Sequence, residues 1–317
     1  MRRLAVALAV VLVMAGCADA APGPVHYPAG GITIASGSDQ GVYYRYADAY
    51  RHALRKDLPG LKVEIVKTSG SFDNLQRLTD RTAQIGFATA DTAYQATAAK
   101  ATAPAARNLR AIARVYDEYL HLVVPASSTV RSARDLRGLR VSTGAENSST
   151  ELTAGRVLEA AGLSPERDLK RQRLGLNDSV AALRVKRIDA FFWSGGLPTP
   201  GIRDLADATP IKLVQLGDQM SDLRLTYGTL YRQAVVSSTT YPDVPQTVTV
   251  GVPNYLVVSG DLDDRLVYAL TRVLFRYRSE IGAEVPSGRL LDARSAISTM
   301  PLQLHPGAEQ YYRDQKS

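Results

Sequence analysis

The amino-acid sequence predicts an α/β fold in two lobes, with two mixed sheets flanked by helices and two crossing hinge strands. Three observations predict it. Segments of apolar β-formers alternate with helical patterns along nearly the whole chain, which is the signature of βαβ units. Two stretches, LHLVVP (120–125) and TVTVGVPNYLVVS (247–259), are too long and too even to belong to one small domain. A chain that leaves one α/β lobe, builds a second and returns needs two such crossings. Beyond its first 30 positions, the 317-residue chain is also long enough for two domains of ordinary size.

The elements follow in order. Arg2 and Arg3 precede an apolar run, Leu4 to Met14, that ends in Ala15-Gly16-Cys17. This is a basic n-region, a short h-region and a small-residue cleavage site, too short for a membrane span of roughly 20 apolar residues. Cys17 is the only cysteine. VMAGC resembles the bacterial lipobox, in which that cysteine becomes the lipidated N-terminus. The alternative is an ordinary secretory leader cut near Ala20 or Ala21. The expected layout is a signal peptide over 1–17 and an Ala/Pro/Gly-rich flexible tether over 18–30. One lobe is then expected over 31–120 plus 252–317, and a second over 121–251. The protein is expected outside the cell, on the outer face of the membrane, anchored through Cys17.

Strands are expected at 32–35, 61–67, 85–88, 109–114, 120–124, 140–143, 190–193, 211–215 and 247–258. Helices are expected at 43–56, 71–80, 91–97, 132–136, 148–161, 177–185 and 199–208. The end, from Asp261 onward, is helical, with Leu266, Leu270, Val273 and Leu274 on one face. No repeat of 20–50 residues is visible.

The formal charge of +7 includes Arg2 and Arg3, which leaves +5 on the mature chain. The basic residues are scattered, with no aromatic interleaving along a basic stripe, which argues against nucleic-acid binding. The loop Ser36-Gly37-Ser38-Asp39-Gln40-Gly41 lies between a strand and a helix. It is neither GxGxxG nor GxxxxGK[ST], and Asp39 falls where phosphate oxygens would come closest, so it holds no nucleotide. Its backbone N–H groups and hydroxyls favour a carboxylate or other anion at a helix start.

Four further strand-end loops have the same character: Thr68–Asn74, Thr89–Tyr94, Ser142–Thr150 and Phe192–Pro198. Each alone is a helix cap. Together they describe a cleft that grips a small polar molecule by hydrogen bonds, walled by Trp193 and tyrosines.

The segments SGSDQGVYY, TSGSFDNLQRL, AQIGFATADTAYQA, LRAIARVYDEYLHLVV, IDAFFWSGGLPTPGIRDLA, TVTVGVPNYLVVSG and MPLQLHPGAEQYY stand in this order over nearly the whole mature chain. They resemble the TAXI family, the extracytoplasmic solute-binding receptors of TRAP-type transporters. The resemblance implies a two-lobed periplasmic-binding-protein fold of type II and a small organic anion in the cleft, such as glutamate, glutamine or a dicarboxylate. It implies no cofactor, a monomer, and membrane permease subunits as partners.

Residue by residue, the resemblance places ligand contacts on Ser36, Gly37, Ser38, Asp39, Gly41, Tyr43 and Tyr44 in the first loop. In the second and third loops they fall on Ser69, Ser71, Asn74, Asp91 and Tyr94, and on the crossing strand on Tyr116 and Glu118. The loops of the second lobe contribute Thr143, Glu146, Ser148, Ser149, Thr150, Trp193, Gly195, Gly196 and Pro198. Asp39 and Glu146 depart from the family's small residues. If either faces the cleft it should meet a cation, which favours an amino acid over a plain dicarboxylate; the alternative is that both point to solvent.

No catalytic residue is expected. His26, His52, His121 and His305 are dispersed, with no HExxH spacing, and GxSxG is absent. Asp39, Asp91, Glu118 and Glu146 have carboxylates suited to a hard cation, but their spacing does not require a metal. A second function class remains open at this point: the same binding fold reporting its solute to a membrane sensor instead of delivering it to a permease.

Overall fold

In a computed structural model of the chain, residues 27–98 and 107–316 are described. Cys17 and the leader lie outside them. The first strands and helices are β1 (Ile32–Ala35), α1 (Val42–Asp57), β2 (Val63–Val66), α2 (Ser71–Thr79), β3 (Ile85–Thr89) and α3 (Ala90–Thr97). Strand β4 (Leu109–Pro125) leads into β5 (Arg140–Ser142), α4 (Ser149–Ala160), α5 (Pro165–Asp168), β6 (Lys170–Gln172) and α6 (Leu176–Arg184). Then come β7 (Ala190–Gly195), α7 (Pro200–Ala208), β8 (Ile211–Leu213), α8 (Met220–Tyr227), β9 (Arg232–Val236) and β10 (Thr247–Ser259). Four helices close the chain: α9 (Asp264–Arg276), α10 (Arg278–Glu284), α11 (Ala293–Ala296) and α12 (Pro306–Asp314).

The strands lie in the order β2-β1-β3-β10-β4-β7-β5-β6, with β8 added to β4 and β9 to β10. Pairing is parallel within β2-β1-β3 and within β7-β5-β6, and antiparallel wherever β4 or β10 takes part. The two expected sheets are therefore hydrogen-bonded into one. The reason is the length of β4 and β10, 17 and 13 residues. Strand β10 pairs with β3 towards its C-terminal end and with β9 towards its N-terminal end, while β4 pairs with β10 over its first part and with β7 and β8 over its second, so the two strands, paired with each other, link both halves. The expected strands 109–114 and 120–124 are likewise one element, continuous through Tyr116-Asp117-Glu118-Tyr119.

Helix α1 forms because Val42, Tyr43, Tyr46, Ala47, Tyr50, Ala53 and Leu54 fall on one buried face, and Arg55 and Lys56 suit the negative end of its dipole. The face packs on β1, β3 and α9, where Leu266, Leu270 and Leu274 are fully buried; each such leucine contributes about 1.5–3 kcal/mol by leaving water. Two of the buried hydroxyls at this layer donate to carbonyls, Tyr50 to that of Leu270 at 2.7 Å and Tyr312 to that of Ile112 at 3.0 Å, whereas that of Tyr46 has no partner among the described residues. A second cluster joins both halves of the sheet through Leu120, Phe192, Val252 and Val257. A third lies under α6 and α7, around Phe191, Ile202 and Tyr241. Among the described residues, no helix is long and apolar enough to cross a membrane.

Candidate functional site

A cavity of about 80 Å³ opens where the starts of α1, α2, α4 and α6 meet the middle of β4 and the end of β7. By the measure in which one water takes roughly 10–15 Å³, it has room for one small solute. The N-cap residues of all four helices, Gly41, Gly70, Ser148 and Gly175, line it. Ser148 caps its own helix, accepting from Glu151 N at 3.1 Å. The three glycine caps have no side chain with which to do so. The first backbone N–H groups of α1, α2 and α6 thus stand at the cavity without a side-chain cap, at the positive ends of their helix dipoles.

Gly70 is required by geometry: its φ is +135°, and a Cβ there would stand 3.2 Å from the Ser148 Cβ. Backbone meets backbone across the cleft at this point. Gly144 is equally constrained, with φ +101° and a Cβ position 2.6 Å from Thr150 Cγ2.

Of the sequence-predicted residues, Gly37, Ser38, Gly41, Tyr43, Ser69, Tyr116, Glu118, Ser148, Ser149, Thr150, Trp193 and Gly195 are brought together around the cavity. The others stand behind or beside it. Ser36 is buried and donates to the Val66 carbonyl at 2.8 Å. Ser71 meets the Tyr43 hydroxyl at 3.1 Å. The Asn74 amide donates to the Ser36 and Phe87 carbonyls at 2.7 and 2.9 Å, so it braces the first two loops and has no donor left over. Thr143 accepts from Arg171 Nε at 2.8 Å. Gly196 packs under Ser287 and Tyr116, Pro198 is half-buried after a cis bond, and Tyr44 and Tyr94 are directed to the surface. Asp91 is fully buried away from the cavity, accepting from Thr153 and Tyr231 at 2.8 and 2.7 Å.

Asp39 and Glu146 point to solvent. Asp39 pairs with Lys67 Nζ at 2.6 Å and accepts from Asn177 at 3.1 Å, and these partners hold its carboxyl below the usual range. Glu146 is exposed. The carboxyl at the cavity is instead that of Glu118, 1% exposed. It accepts from Ser194 Oγ at 2.6 Å and from Asn254 Nδ2 at 2.9 Å. Burial pushes its pKa up to about 7, against the lowering effect of the Ser194, Tyr43 and Asn254 donors. Beside it, the buried Tyr116 hydroxyl and Asn254 Oδ1 have no partner among the described residues.

Val42, Thr68, Gly70, Ala145 and Ser194 lie in loops to which the sequence pointed without naming them as contacts, whereas Gly175 and Leu176 escaped the sequence reading. Gly175 and Leu176 follow β6, whose Lys-Arg-Gln sequence hides the strand that would have marked the loop. Asn254 had a usable signal, as the one amide in an otherwise apolar run.

A sequence model of the NMT1-like family matches residues 34–315. The chain belongs to the NMT1-like family. Among solved structures, this NMT1-like protein is similar to the periplasmic aliphatic sulphonate binding protein SsuA from Escherichia coli. Identity is 16%, coverage 89% of this chain and 82% of that chain, and the TM-score 0.50. It is also similar to the alkanesulfonate-binding protein SsuA from Xanthomonas axonopodis pv. citri bound to MOPS, at 17% identity, 91% and 85% coverage and TM-score 0.51. A third is the substrate binding protein of an amino acid ABC transporter, at 14% identity, 82% and 100% coverage and TM-score 0.50. At these identities the likeness carries the fold, and the fold of the NMT1-like chain is that of type II periplasmic binding proteins.

Proposed function

We propose that the protein is an exported solute-binding receptor of the TAXI type, capturing a small organic anion such as an amino acid or a dicarboxylate for a TRAP-type transporter. The cavity is the ligand site, between lobes formed by 31–120 with 252–317 and by 121–251. The observation that carries this reading is the convergence of four helix starts, three capped only by glycine, on one small cavity. The anionic group of the solute takes the place of the missing side-chain caps. Cys17 anchors a monomer to the outer face of the membrane, next to the permease.

The protein binds without turning its ligand over. His121 supports this: its Nδ1 is engaged by the Tyr119 and Trp193 carbonyls at 2.8 and 3.2 Å and its Nε2 by the Tyr241 hydroxyl at 2.9 Å, with no serine or cysteine nucleophile among those partners.

A ligand that bridges two lobes stabilises their closed arrangement. The test is mass spectrometry of solute released from the denatured purified protein, followed by small-angle scattering with that solute added. A smaller radius of gyration on addition is expected; a confirmed ligand that leaves the shape unchanged overturns the reading.

A further inference from the structure

Among the described residues, the lining of the cavity contains no lysine, arginine or histidine, and Glu118 is its one carboxyl. That combination is a poor host for a dicarboxylate. One anionic end is served by the uncapped helix starts, but a second would meet a carboxyl that itself resists ionising. We propose that Glu118 sets ligand choice: its buried carboxyl takes a protonated amine of the solute while the helix starts take the anionic group, so the cavity selects a small zwitterion over a plain anion. This rests on the cavity being the ligand site.

The geometry leaves room for the contact. Glu118 accepts from Ser194 and Asn254 with the Tyr43 hydroxyl as a third donor beside it, and a carboxylate has about four acceptor positions in all. A buried carboxylate without a cation is costly, and an ammonium group supplies one. Tyr116, 3% exposed, lines the same cavity, and its buried hydroxyl is unpartnered among the described residues.

The groups facing Glu118 are Tyr43 from α1, Ser194 from β7, Asn254 from β10, Tyr116 on its own strand and, at longer range, Asp91 from α3. Burial and Asp91 both favour the protonated acid. Taking up an amine therefore expels a proton, and affinity for an amine-bearing solute rises with pH up to about 7 and then levels off. Affinity for a plain anion follows the opposite course.

The test is a thermal-shift and calorimetric comparison on the full exported protein. The probes are the twenty proteinogenic amino acids set against amine-free acids, among them 2-oxoglutarate, pyruvate and succinate. The best amino acid is expected to bind at least tenfold tighter than its amine-free counterpart. Glu118→Gln should lower that affinity at least tenfold and leave the amine-free acid unchanged or tighter.

Calorimetry of the wild type at pH 6, in buffers of different ionisation enthalpy, should show close to one proton released per amino acid bound. This arm needs no variant to fold. An amine-free acid binding as tightly as any amino acid overturns the inference, as does no stabilisation by any amino acid, or no proton release. Ser69→Trp, placed at the exposed rim of the lining, separates the two levels. If it leaves binding intact, the cavity is not the ligand site. If it abolishes binding while Glu118→Gln keeps the preference, only the role of Glu118 fails.

Discussion

The Tyr231 hydroxyl donates to Asp91 Oδ2 over 2.7 Å and itself accepts from Arg156 Nη1 at 2.8 Å. Asp91 opens α3, beside β3, whereas Arg156 and Thr153 belong to α4, which follows β5. The fully buried Asp91 carboxyl thus takes its side-chain donors from segments far along the chain, Thr153 on α4 and Tyr231 just before β9. Tyr231→Phe removes one of them and should cost about 1.5–3 kcal/mol of stability, the range for hydrogen bonds to charged groups. Urea unfolding of the two proteins measures it; an unchanged midpoint would show that the contact carries no weight.

Glu118 makes the fold sensitive to pH in a defined direction. Its folded pKa, about 7, lies above the ordinary value of 4.5. The folded state therefore holds the proton more tightly, so stability present below about pH 4.5 is lost progressively until about pH 7. The loss is on the order of 3 kcal/mol at 1.36 kcal/mol per pH unit. Glu118→Gln lacks this loss, and its melting temperature relative to wild type should climb between pH 5 and pH 7. A difference that is flat with pH would contradict the assignment.

His121 acts in the opposite sense. Burial lowers its pKa from 6.5 to about 4, so the stability it confers is complete above 6.5 and drains away as pH falls towards 4. Again the scale is on the order of 3 kcal/mol. His121→Gln should flatten the acid limb of the melting curve while lowering stability at neutral pH, where it disturbs the Tyr241 hydroxyl and its bond from Thr199 N at 3.0 Å.

Asp39→Asn should change ligand affinity by no more than about threefold, as exposed ion pairs contribute little and are screened by salt. Its carboxylate is spent on Lys67 and Asn177 at the rim. Calorimetry at low and high salt would decide, and a tenfold loss would bring Asp39 back into the binding site.

What could be read in the sequence was what hydrophobic pattern and loop chemistry encode. The glycine and hydroxyl loops after β1, β2, β5 and β7 announced the cavity only in combination, because each alone reads as a helix cap. Strand β6 was invisible, since Lys170, Arg171 and Gln172 form an edge strand with no apolar face. The continuity of β4 was hidden by Asp117 and Glu118, whose polarity reads as a break; Glu118 lines the cavity, and Asp117 is paired with Arg114. The direction of Asp39 and Glu146 depends on partners far along the chain, such as Asn177, and no local pattern records it.

Asn254 sits opposite Tyr116, at the point where the register between β4 and β10 slips. Its amide gives one atom to Glu118 and leaves the other idle. A half turn about the last side-chain bond exchanges the two, offering a carbonyl where an N–H had been, at no cost in backbone movement. Ionised Glu118 can only accept; protonated Glu118 can also donate, and the Asn254 carbonyl or the Ser194 hydroxyl can take that bond. This one side chain can therefore follow the arrival or departure of a proton as a rotor, and the pair of strands that carries it can keep a single shape in both states.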